Sequence, residues 1–359
     1  MKILTIVGAR PQFIKVAAVS HAIQKVGGRA DEAIVHTGQH FDANMSQVFF
    51  EELQIPEPKY NLGISGGTHG EMTGRMMAPI EKVILQERPD VVMIHGDTNS
   101  TLAASLAAVK IHVPIGHVEA GLRSYNRRIP EEINRVVADH MSNLLFCPTP
   151  VAVDNLRKEG IVQGVHLTGD VMYDSAIYYR RVAERKSDAM KRLGLKKGEF
   201  YLATIHRPDN ASDLDHLRTL LACLEEAPRQ VVLPVHPRTR QMMKRHNLKV
   251  NRTRLTEPLS YLDMLLLETN ARVIVTDSGG VQKEAYFAAV PCITLREETE
   301  WVELVEAGWN RLVGSNPARI REAITWAESM DRTSGGRSFY GDGHAADRIV
   351  SILLETYGG

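Results

Sequence analysis

Short apolar runs rich in β-branched residues alternate with helical patterns along most of the chain. The run Lys2–Val7 has the length and composition of a buried strand, and the stretch after it places apolar side chains at helical spacing. This alternation predicts a parallel, doubly wound α/β sheet with right-handed crossovers. Strands are predicted at residues 2–7, 33–37, 91–95, 114–118, 144–147, 200–204, 230–235, 272–276 and 292–295. Helices are predicted at residues 11–26, 43–53, 98–111, 131–140, 150–159, 213–227, 238–246, 261–270 and 280–288.

A polar, charged stretch at residues 170–198 interrupts the alternation and is typical of a helical connector between domains. We therefore predict two Rossmann-like α/β domains that face a cleft. The first covers residues 1–170 and the second covers residues 171–343. The end of the chain, residues 344–359, has an amphipathic helical pattern and is expected to pack back on the first domain.

Composition excludes several classes of protein. The 359 residues carry 43 basic and 43 acidic side chains, and this balance argues against a broad surface for nucleic acid or anionic membranes. Three single cysteines, without metal or redox spacing, are typical of reduced core thiols in a cytoplasmic protein. The apolar run at the start is too short for a signal peptide, and no span reaches membrane length.

Acidic side chains collect where predicted strands end. Asp97 and Glu119 each follow a strand, and Glu131 begins a helix soon afterwards. Ligands of open α/β sheets bind beyond the carboxyl ends of the strands, so these three carboxylates are candidates for proton transfer. For Asp97 and Glu131, helix capping or pairing with the helix dipole is the alternative reading. An acid directly after an apolar strand, as Glu119 is, needs a partner or a function.

Cations and histidines follow the same edge. We expect five cations to face the site, namely Arg10, Lys15, Arg123, Arg135 and Arg207. His206 follows a buried strand and could donate a proton or a hydrogen bond to a phosphate leaving group. His95 and His117 are expected to be hydrogen-bonded groups inside strands.

The tetrapeptide Asp277-Ser278-Gly279-Gly280 separates a strand from a helix and predicts an anion-binding loop. Glu284, one turn into that helix, could reach a sugar hydroxyl. The alternative is a simple turn whose serine caps the helix. The chain has no G-x-G-x-x-G, P-loop, G-x-S-x-G or His-Glu-x-x-His pattern, so neither a nicotinamide cofactor nor a zinc site is indicated.

Seven motifs, in order along nearly the whole chain, resemble those of the non-hydrolysing UDP-N-acetylglucosamine 2-epimerase family. They are Val7-Gly8-Ala9-Arg10-Pro11, Thr37-Gly38-Gln39-His40, Gly96-Asp97-Thr98, His117-Val118-Glu119-Ala120-Gly121-Leu122-Arg123, Pro130-Glu131-Glu132-Ile133-Asn134-Arg135, Thr204-Ile205-His206-Arg207 and Thr276-Asp277-Ser278-Gly279-Gly280. The resemblance implies a glycosyltransferase-B-like fold, usually in a homodimer. It also implies interconversion of UDP-GlcNAc and UDP-ManNAc without NAD or metal.

The resemblance carries roles to individual residues. Asp97, Glu119, Glu131 and His206 match the family's catalytic set. The substrate-binding residues are matched by Arg10, Lys15, Arg135, Met264, Ser278, Gly279, Gly280 and Glu284. In the family's chemistry, anti elimination of UDP gives a 2-acetamidoglucal, and re-addition of UDP inverts C2. Which carboxylate takes the C2 proton stays open at this point.

Three departures from the family pattern bear on substrate and regulation. His206 is followed by Arg207-Pro208-Asp209-Asn210 where the family often has Arg-Arg-Glu-Asn. The usual Thr-Glu-Arg-Pro-Glu becomes Thr299-Glu300-Trp301-Val302-Glu303, so an arginine on the phosphate side is lost. Residues 41–45 do not match the segment that binds activating UDP-GlcNAc in some bacterial members, so allosteric activation is not expected.

The substrate and the reaction class have alternatives. The Trp301 pattern and residues 96–100 also look like relatives that act on UDP-2,3-diacetamido-2,3-dideoxyglucuronate. A glycosyltransferase of the same fold is the alternative from another reaction class, and it needs at most one catalytic carboxylate. A non-catalytic UDP-sugar sensor and a hydrolysing epimerase are further alternatives.

Overall fold

The computed structural model describes residues 1–39, 49–332 and 339–358. Contacts divide the chain into two compact units. The N-terminal unit comprises Met1–Ile177 together with Ser338–Gly359, and the C-terminal unit comprises Tyr178–Arg337. The predicted helix at residues 43–53 lies mostly outside the described residues, and residues 49–52 at its end are helical. The segment 41–45 also lies outside them.

The N-terminal unit is built on a parallel seven-stranded sheet with the order β3-β2-β1-β4-β5-β6-β7. The strand order reverses at β1 and β4, which is the switch point where doubly wound sheets bind ligands. The strands are β1 Lys2–Val7, β2 Asp31–His36, β3 Tyr60–Asn61, β4 Val91–His95, β5 Ile115–Val118, β6 Leu144–Cys147 and β7 Val165–Leu167. Its helices are α1 Arg10–Lys25, α2 His69–Glu87, α3 Asn99–Lys110, α4 Pro130–Met141, α5 Pro150–Lys158 and, at the end of the chain, Ala345–Tyr357.

Apolar clusters cover both faces of this sheet. Successive side chains of a strand point to opposite faces, so a strand that is buried along its whole length needs a core on each side. Leu4 and Ile6 pack into one apolar cluster, whereas Ile3 packs into a second cluster on the opposite face. The second cluster also contains Ile349 and Leu353 of the C-terminal helix, which packs against α1. A 3₁₀ turn at Gly27–Arg29 precedes β2, and the helix Val171–Lys186 begins in this unit and ends in the C-terminal unit.

The C-terminal unit repeats the plan with a parallel six-stranded sheet of order β10-β9-β8-β11-β12-β13. Its strands are β8 Phe200–Thr204, β9 Gln230–Pro234, β10 Arg254–Thr256, β11 Val273–Thr276, β12 Cys292–Thr294 and β13 Asn310–Leu312. Its helices are Ala189–Arg192, Pro208–Ala211, Leu214–Glu225, Pro237–Arg245, Tyr261–Asn270, Gly279–Phe287, Val302–Glu306 and Pro317–Ser329. Tyr201 and Leu202 point into opposite apolar clusters, so this sheet is also covered on both faces.

Four short edge strands and four helices of the described residues were not predicted. The strands β3, β7, β10 and β13 have two or three residues each, too few for a visible alternation. Helix α2 contains Pro79 and two glycines, which lower its helical propensity. A capping box between Thr68 and Glu71 starts it, and Arg88 ends it in the left-handed conformation. Helices Pro208–Ala211, Val302–Glu306 and Pro317–Ser329 were also missed.

Within the ranges that the structure describes, we find no helix whose length and apolar character would let it cross a bilayer.

Candidate active site

The loop after β1 is closed by a side chain of α1. Gln12 accepts hydrogen bonds from the backbone N–H groups of Gly8 (2.8 Å) and Ala9 (3.0 Å) through one oxygen. Its amide nitrogen donates to the carbonyl of His95 (2.8 Å) on the neighbouring strand. Gln12 thereby fixes the start of α1 to the end of the neighbouring strand β4, and this contact holds the backbone that carries Arg10 and Lys15 in place. Arg10 stacks on Phe49, with its guanidinium carbon 4.8 Å from the ring centre.

Lys15 and Glu119 form a buried ion pair between α1 and the end of β5. Both side chains are less than a tenth exposed. Glu119 holds a left-handed backbone (φ 71°), which is a strained conformation for a residue with a side chain. Gly96 makes room for the pair, because a Cβ atom there would lie 2.8 Å from Lys15 Nζ and 3.3 Å from Glu119 Oε2. The partner expected for Glu119 is therefore Lys15.

Asp97 is held by α4 rather than acting as a helix cap. Its carboxylate pairs with Arg135 at 2.5 Å, while Asn134 donates to its backbone carbonyl at 2.9 Å. The cap of the following helix is Thr98, which accepts from a backbone N–H. Arg135 is itself fixed by Glu132 at 3.0 Å. Two neighbouring side chains of α4, Asn134 and Arg135, therefore hold Asp97 in place.

Glu131 lies in the first turn of α4, where the helix dipole favours an acid. Among the described residues it has no hydrogen bond or ion pair to the protein. It lines a cavity of about 160 Å³ in the N-terminal unit. The cavity is also lined by Ala9, Pro11, Gln12, Lys15, Gln39, His69, Gly96, Asp97, Thr98, Asn99 and Asn134. Three of the predicted site residues, Lys15, Asp97 and Glu131, therefore share one concavity.

A buried network ties the Gly96 loop to the interior. His117 bonds the Asp139 carboxylate (2.7 Å) through one ring nitrogen and the Gly96 carbonyl (2.8 Å) through the other. Arg123 donates to Asp139 (2.7 Å) and pairs with Glu159 (2.6 Å). Burial alone would raise the pKa of Asp139, but the bonds from His117 and Arg123 lower it. The expectation that Arg123 faces the site is wrong, since its side chain is 1% exposed and fully paired. For His117 the expected hydrogen bonds are confirmed.

His95 differs from its expectation. It lies inside β4 and is fully buried, but neither ring nitrogen has a hydrogen-bond partner in the described part of the chain. Burial, together with the positive charge of Lys15, lowers the pKa of His95 to about 3. The ring is therefore neutral at physiological pH.

In the C-terminal unit, Asp277 organises the loop after β8. Its fully buried carboxylate accepts from the backbone N–H groups of His206 (2.9 Å) and Arg207 (3.0 Å) and from the Asn210 amide (3.0 Å). Strands β8 and β11 are neighbours, so the His206 loop and the Ser278 loop share one sheet edge. His206 is exposed at that edge.

The Ser278-Gly279-Gly280 loop starts the helix Gly279–Phe287. Ser278 is the helix cap and accepts from the Val281 N–H at 3.5 Å, as the alternative reading of the motif expected. A carboxylate oxygen of Glu300 lies 2.4 Å from where a Cβ of Gly279 would sit, so a side chain at this position would require Glu300 to move. Glu284 is 7% exposed one turn further on, and Met264 packs partly buried on the core beside the helix.

Comparisons with known proteins identify the family of this chain. The family model described as UDP-N-acetylglucosamine 2-epimerase matches residues 22–354. This chain belongs to the UDP-N-acetylglucosamine 2-epimerase family. A UDP-2,3-diacetamido-2,3-dideoxy-D-glucuronate 2-epimerase of Pseudomonas aeruginosa is 51% identical, covering 99% of this chain and all of its own. A UDP-N-acetylglucosamine 2-epimerase homolog of Methanococcus maripaludis is 48% identical, covering 98% and 99%.

Among solved structures, the Methanocaldococcus jannaschii UDP-GlcNAc 2-epimerase in complex with UDP-GlcNAc and UDP is similar with a TM-score of 0.92. It is 41% identical, and the match covers 99% of this chain and all of that one. The family membership and the fold predicted from the motifs are confirmed, and the fold is glycosyltransferase-B-like. The chain is a non-hydrolysing UDP-sugar 2-epimerase.

Three residues that organise this 2-epimerase site were not predicted. Glu132 accepts from the backbone at Ser124 and Tyr125 as well as from Arg135. Asp139 and Asp277 each bind backbone N–H groups while almost completely buried. Glu132 and Asp277 lie within quoted motifs and Asp139 lies four residues after one. An acid that binds backbone nevertheless has the same local sequence pattern as a surface acid. Their backbone partners lie 7 to 71 positions away in sequence.

Proposed function

We propose that this protein interconverts UDP-GlcNAc and UDP-ManNAc by inverting C2. The observation that carries the proposal is the single cavity shared by Lys15, Asp97 and Glu131, with Glu119 bound to Lys15 behind it. Several acids beside one small concavity suit a reaction that both removes and returns a proton. The M. jannaschii relative, named as a UDP-GlcNAc 2-epimerase, supports this choice of substrate.

The reaction has two halves that mirror one another. In the first, the C1–O bond to UDP breaks, the C2 proton passes to a carboxylate, and C1 and C2 become doubly bonded. In the second, a proton is delivered to the opposite face of C2 and the UDP oxygen re-forms its bond to C1. The C2 proton is barely acidic, so departure of UDP leads and positive charge builds at C1. Nearby carboxylates stabilise that charge.

The contacts divide the acids by task. Glu119 and Asp97 form ion pairs with Lys15 and Arg135, and we assign these two carboxylates to stabilising the positive charge at C1. Glu131 has no such partner among the described residues and can gain or lose a proton without breaking an ion pair. We therefore assign the C2 proton to Glu131.

The C-terminal unit supplies groups for the diphosphate. Backbone N–H groups at Gly279 and Gly280 open a helix, where the dipole favours an anion. His206 is assigned to the departing phosphate, and Asp277 positions its backbone. Glu284 is assigned to the ribose hydroxyls and Met264 to the base. Arg10, in the N-terminal unit, is assigned to substrate binding.

Turnover in deuterated water tests the proposal. With UDP-GlcNAc we expect deuterium at C2 of both epimers, read by NMR or mass spectrometry. Glu131→Gln should lower the exchange rate by about 10²-fold or more, whereas Glu159→Gln, which removes a carboxylate that does not line the cavity, should not remove exchange. Protium retained at C2 during turnover would contradict the proposal. Free ManNAc would indicate hydrolysis, and UDP release only with an acceptor would indicate a glycosyltransferase.

A second candidate substrate is UDP-2,3-diacetamido-2,3-dideoxyglucuronate. The P. aeruginosa relative that carries this name is 51% identical over almost the whole chain. The Trp301 pattern, in place of the family's arginine, also favours it. Measuring kcat/KM for deuterium exchange with both sugars decides between them, because the substrate that the site fits will show the higher value.

A further inference from the structure

Trp301 stands where the family usually has an arginine, and its side chain lies against the Gly279 loop. The residue is 3% exposed. Its indole nitrogen is 3.6 Å from the position that a Cβ of Gly279 would take. Gly279 is the first residue of the helix whose N-terminus we assign to the diphosphate. An N–H donor is therefore present beside the proposed anion site.

Lys283 fixes the plane of this indole. Its ammonium nitrogen lies 4.1 Å from the centre of the Trp301 ring, within the range of a cation–π contact, and the residue is fully buried. Lys283 belongs to the same helix as Gly279, one turn further along. A cation against the ring face also draws electron density from the ring, which makes the N–H a stronger donor. An arginine at position 301 would instead place a second cation against a buried ammonium.

The segment that carries Trp301 is anchored to that helix. Thr299 donates to Gln282 at 2.8 Å and also accepts from the Trp301 N–H of the backbone at 3.2 Å. Asn310 donates to the same Gln282 oxygen at 2.9 Å. Next to Trp301, Glu300 pairs with the buried Arg296 at 3.0 Å, so the acid nearest to Gly279 is neutralised. The indole is thus held rigidly, and the neighbouring carboxylate does not present an uncompensated charge to an anion.

We propose that the Trp301 indole N–H donates a hydrogen bond to the diphosphate of the UDP-sugar, with Lys283 as the residue that positions the ring. The inference rests on the proposed function, since it needs UDP at the Gly279 loop. A neutral donor backed by a buried cation takes over what the family's arginine does with a charged side chain. A hydrogen bond to a charged group changes affinity by roughly 10- to 100-fold.

The test compares UDP with uridine, which lacks the phosphates. Their dissociation constants are measured by calorimetry and by competition for the unaltered chain, Trp301→Phe, Lys283→Met and the double variant. Incorporating 3-benzothienylalanine at position 301 adds an isosteric control, because it keeps the bicyclic ring and exchanges N–H for sulfur. Thermal unfolding verifies that each variant is folded.

We expect Trp301→Phe and the benzothienyl variant to bind UDP about tenfold or more weakly and uridine with unchanged affinity. Lys283→Met should also weaken the binding of UDP. The double variant should bind UDP no more weakly than Trp301→Phe, because the two changes remove the same interaction. Unchanged UDP affinity in the benzothienyl variant, or equal losses for UDP and uridine, would overturn the assignment. If the unaltered chain binds no UDP, the proposed function fails together with it, which the deuterium experiment verifies separately.

Discussion

Two lysines of α1 offer a direct measure of what the buried ion pair contributes. Lys15 pairs with Glu119, and the two side chains are 8% and 7% exposed. Lys25, near the end of the same helix, pairs with Asp347 at 3.2 Å, with side chains 68% and 45% exposed. Methionine keeps most of the length of lysine and removes the charge, so Lys15→Met and Lys25→Met are matched changes in different surroundings.

Lys15→Met removes the ammonium that pairs with the buried Glu119 carboxylate, which costs about 3–5 kcal/mol in the free energy of unfolding. Lys25→Met breaks an exposed pair that water and salt already screen, and should cost less than about 1 kcal/mol. The double variant Lys15→Met/Glu119→Gln should recover part of the loss, because no uncompensated charge remains. Epimerisation should fall in both variants at position 15 and be retained in Lys25→Met.

Urea unfolding followed by circular dichroism gives the free energies. The three tryptophans of the chain, Trp301, Trp309 and Trp326, all lie in the C-terminal unit, so their fluorescence reports that unit separately. The loss from Lys15→Met should appear in the circular dichroism transition. Equal and small losses for the two lysine variants would refute the argument that burial makes the Lys15 pair strong. A double variant that is less stable than Lys15→Met would refute it as well.

Three further predictions concern pH and backbone geometry. Burial raises the pKa of Asp174 to about 6 from its ordinary 3.8, so the stability that this group contributes below pH 3.8 is lost as the pH rises through 6. Asp174→Asn should therefore stabilise the protein by up to about 3 kcal/mol at pH 8 and by little at pH 4. Thermal unfolding measures both effects, and equal effects at the two pH values would contradict the prediction. Because the pKa of His95 is lowered to about 3, the stability of the folded protein falls as the pH drops from 6.5 to 3. His95→Phe should therefore move the midpoint of acid unfolding, followed by circular dichroism, to lower pH. An unchanged midpoint would count against this prediction. Gly121 and Gly160 both have a left-handed backbone, with φ of 82° and 80°, but only at Gly121 would a Cβ clash, 2.4 Å from the carbonyl oxygen of Ala152. Gly160→Ala should therefore lower the free energy of unfolding in urea by about 1–2 kcal/mol, and Gly121→Ala should lower it clearly more. Equal losses would show that the clash relaxes.

Local patterns were sufficient where an element is long and buried. The strands β1, β4 and β8 were predicted at the residues where they occur, because a continuous apolar run between turn residues has few other uses. Helix α2 was not predicted from the sequence, because Gly70, Gly74 and Pro79 lower its intrinsic helical propensity. Packing of α2 on α3 outweighs that propensity, and packing between helices is not visible in a local window.

The sequence by itself determined the α/β class, the order of the motifs and hence the family, together with the set of candidate acids. The tertiary structure decided which of those acids are paired. Lys15 and Glu119 are 104 positions apart, and Asp97 and Arg135 are 38 apart, so no local spacing predicts either contact. The same holds for Arg123, which looked like a site cation and is a buried structural group. The physical reason is that the carboxyl ends of parallel strands meet at one sheet edge, where the charge of each side chain is set by neighbours distant in the chain.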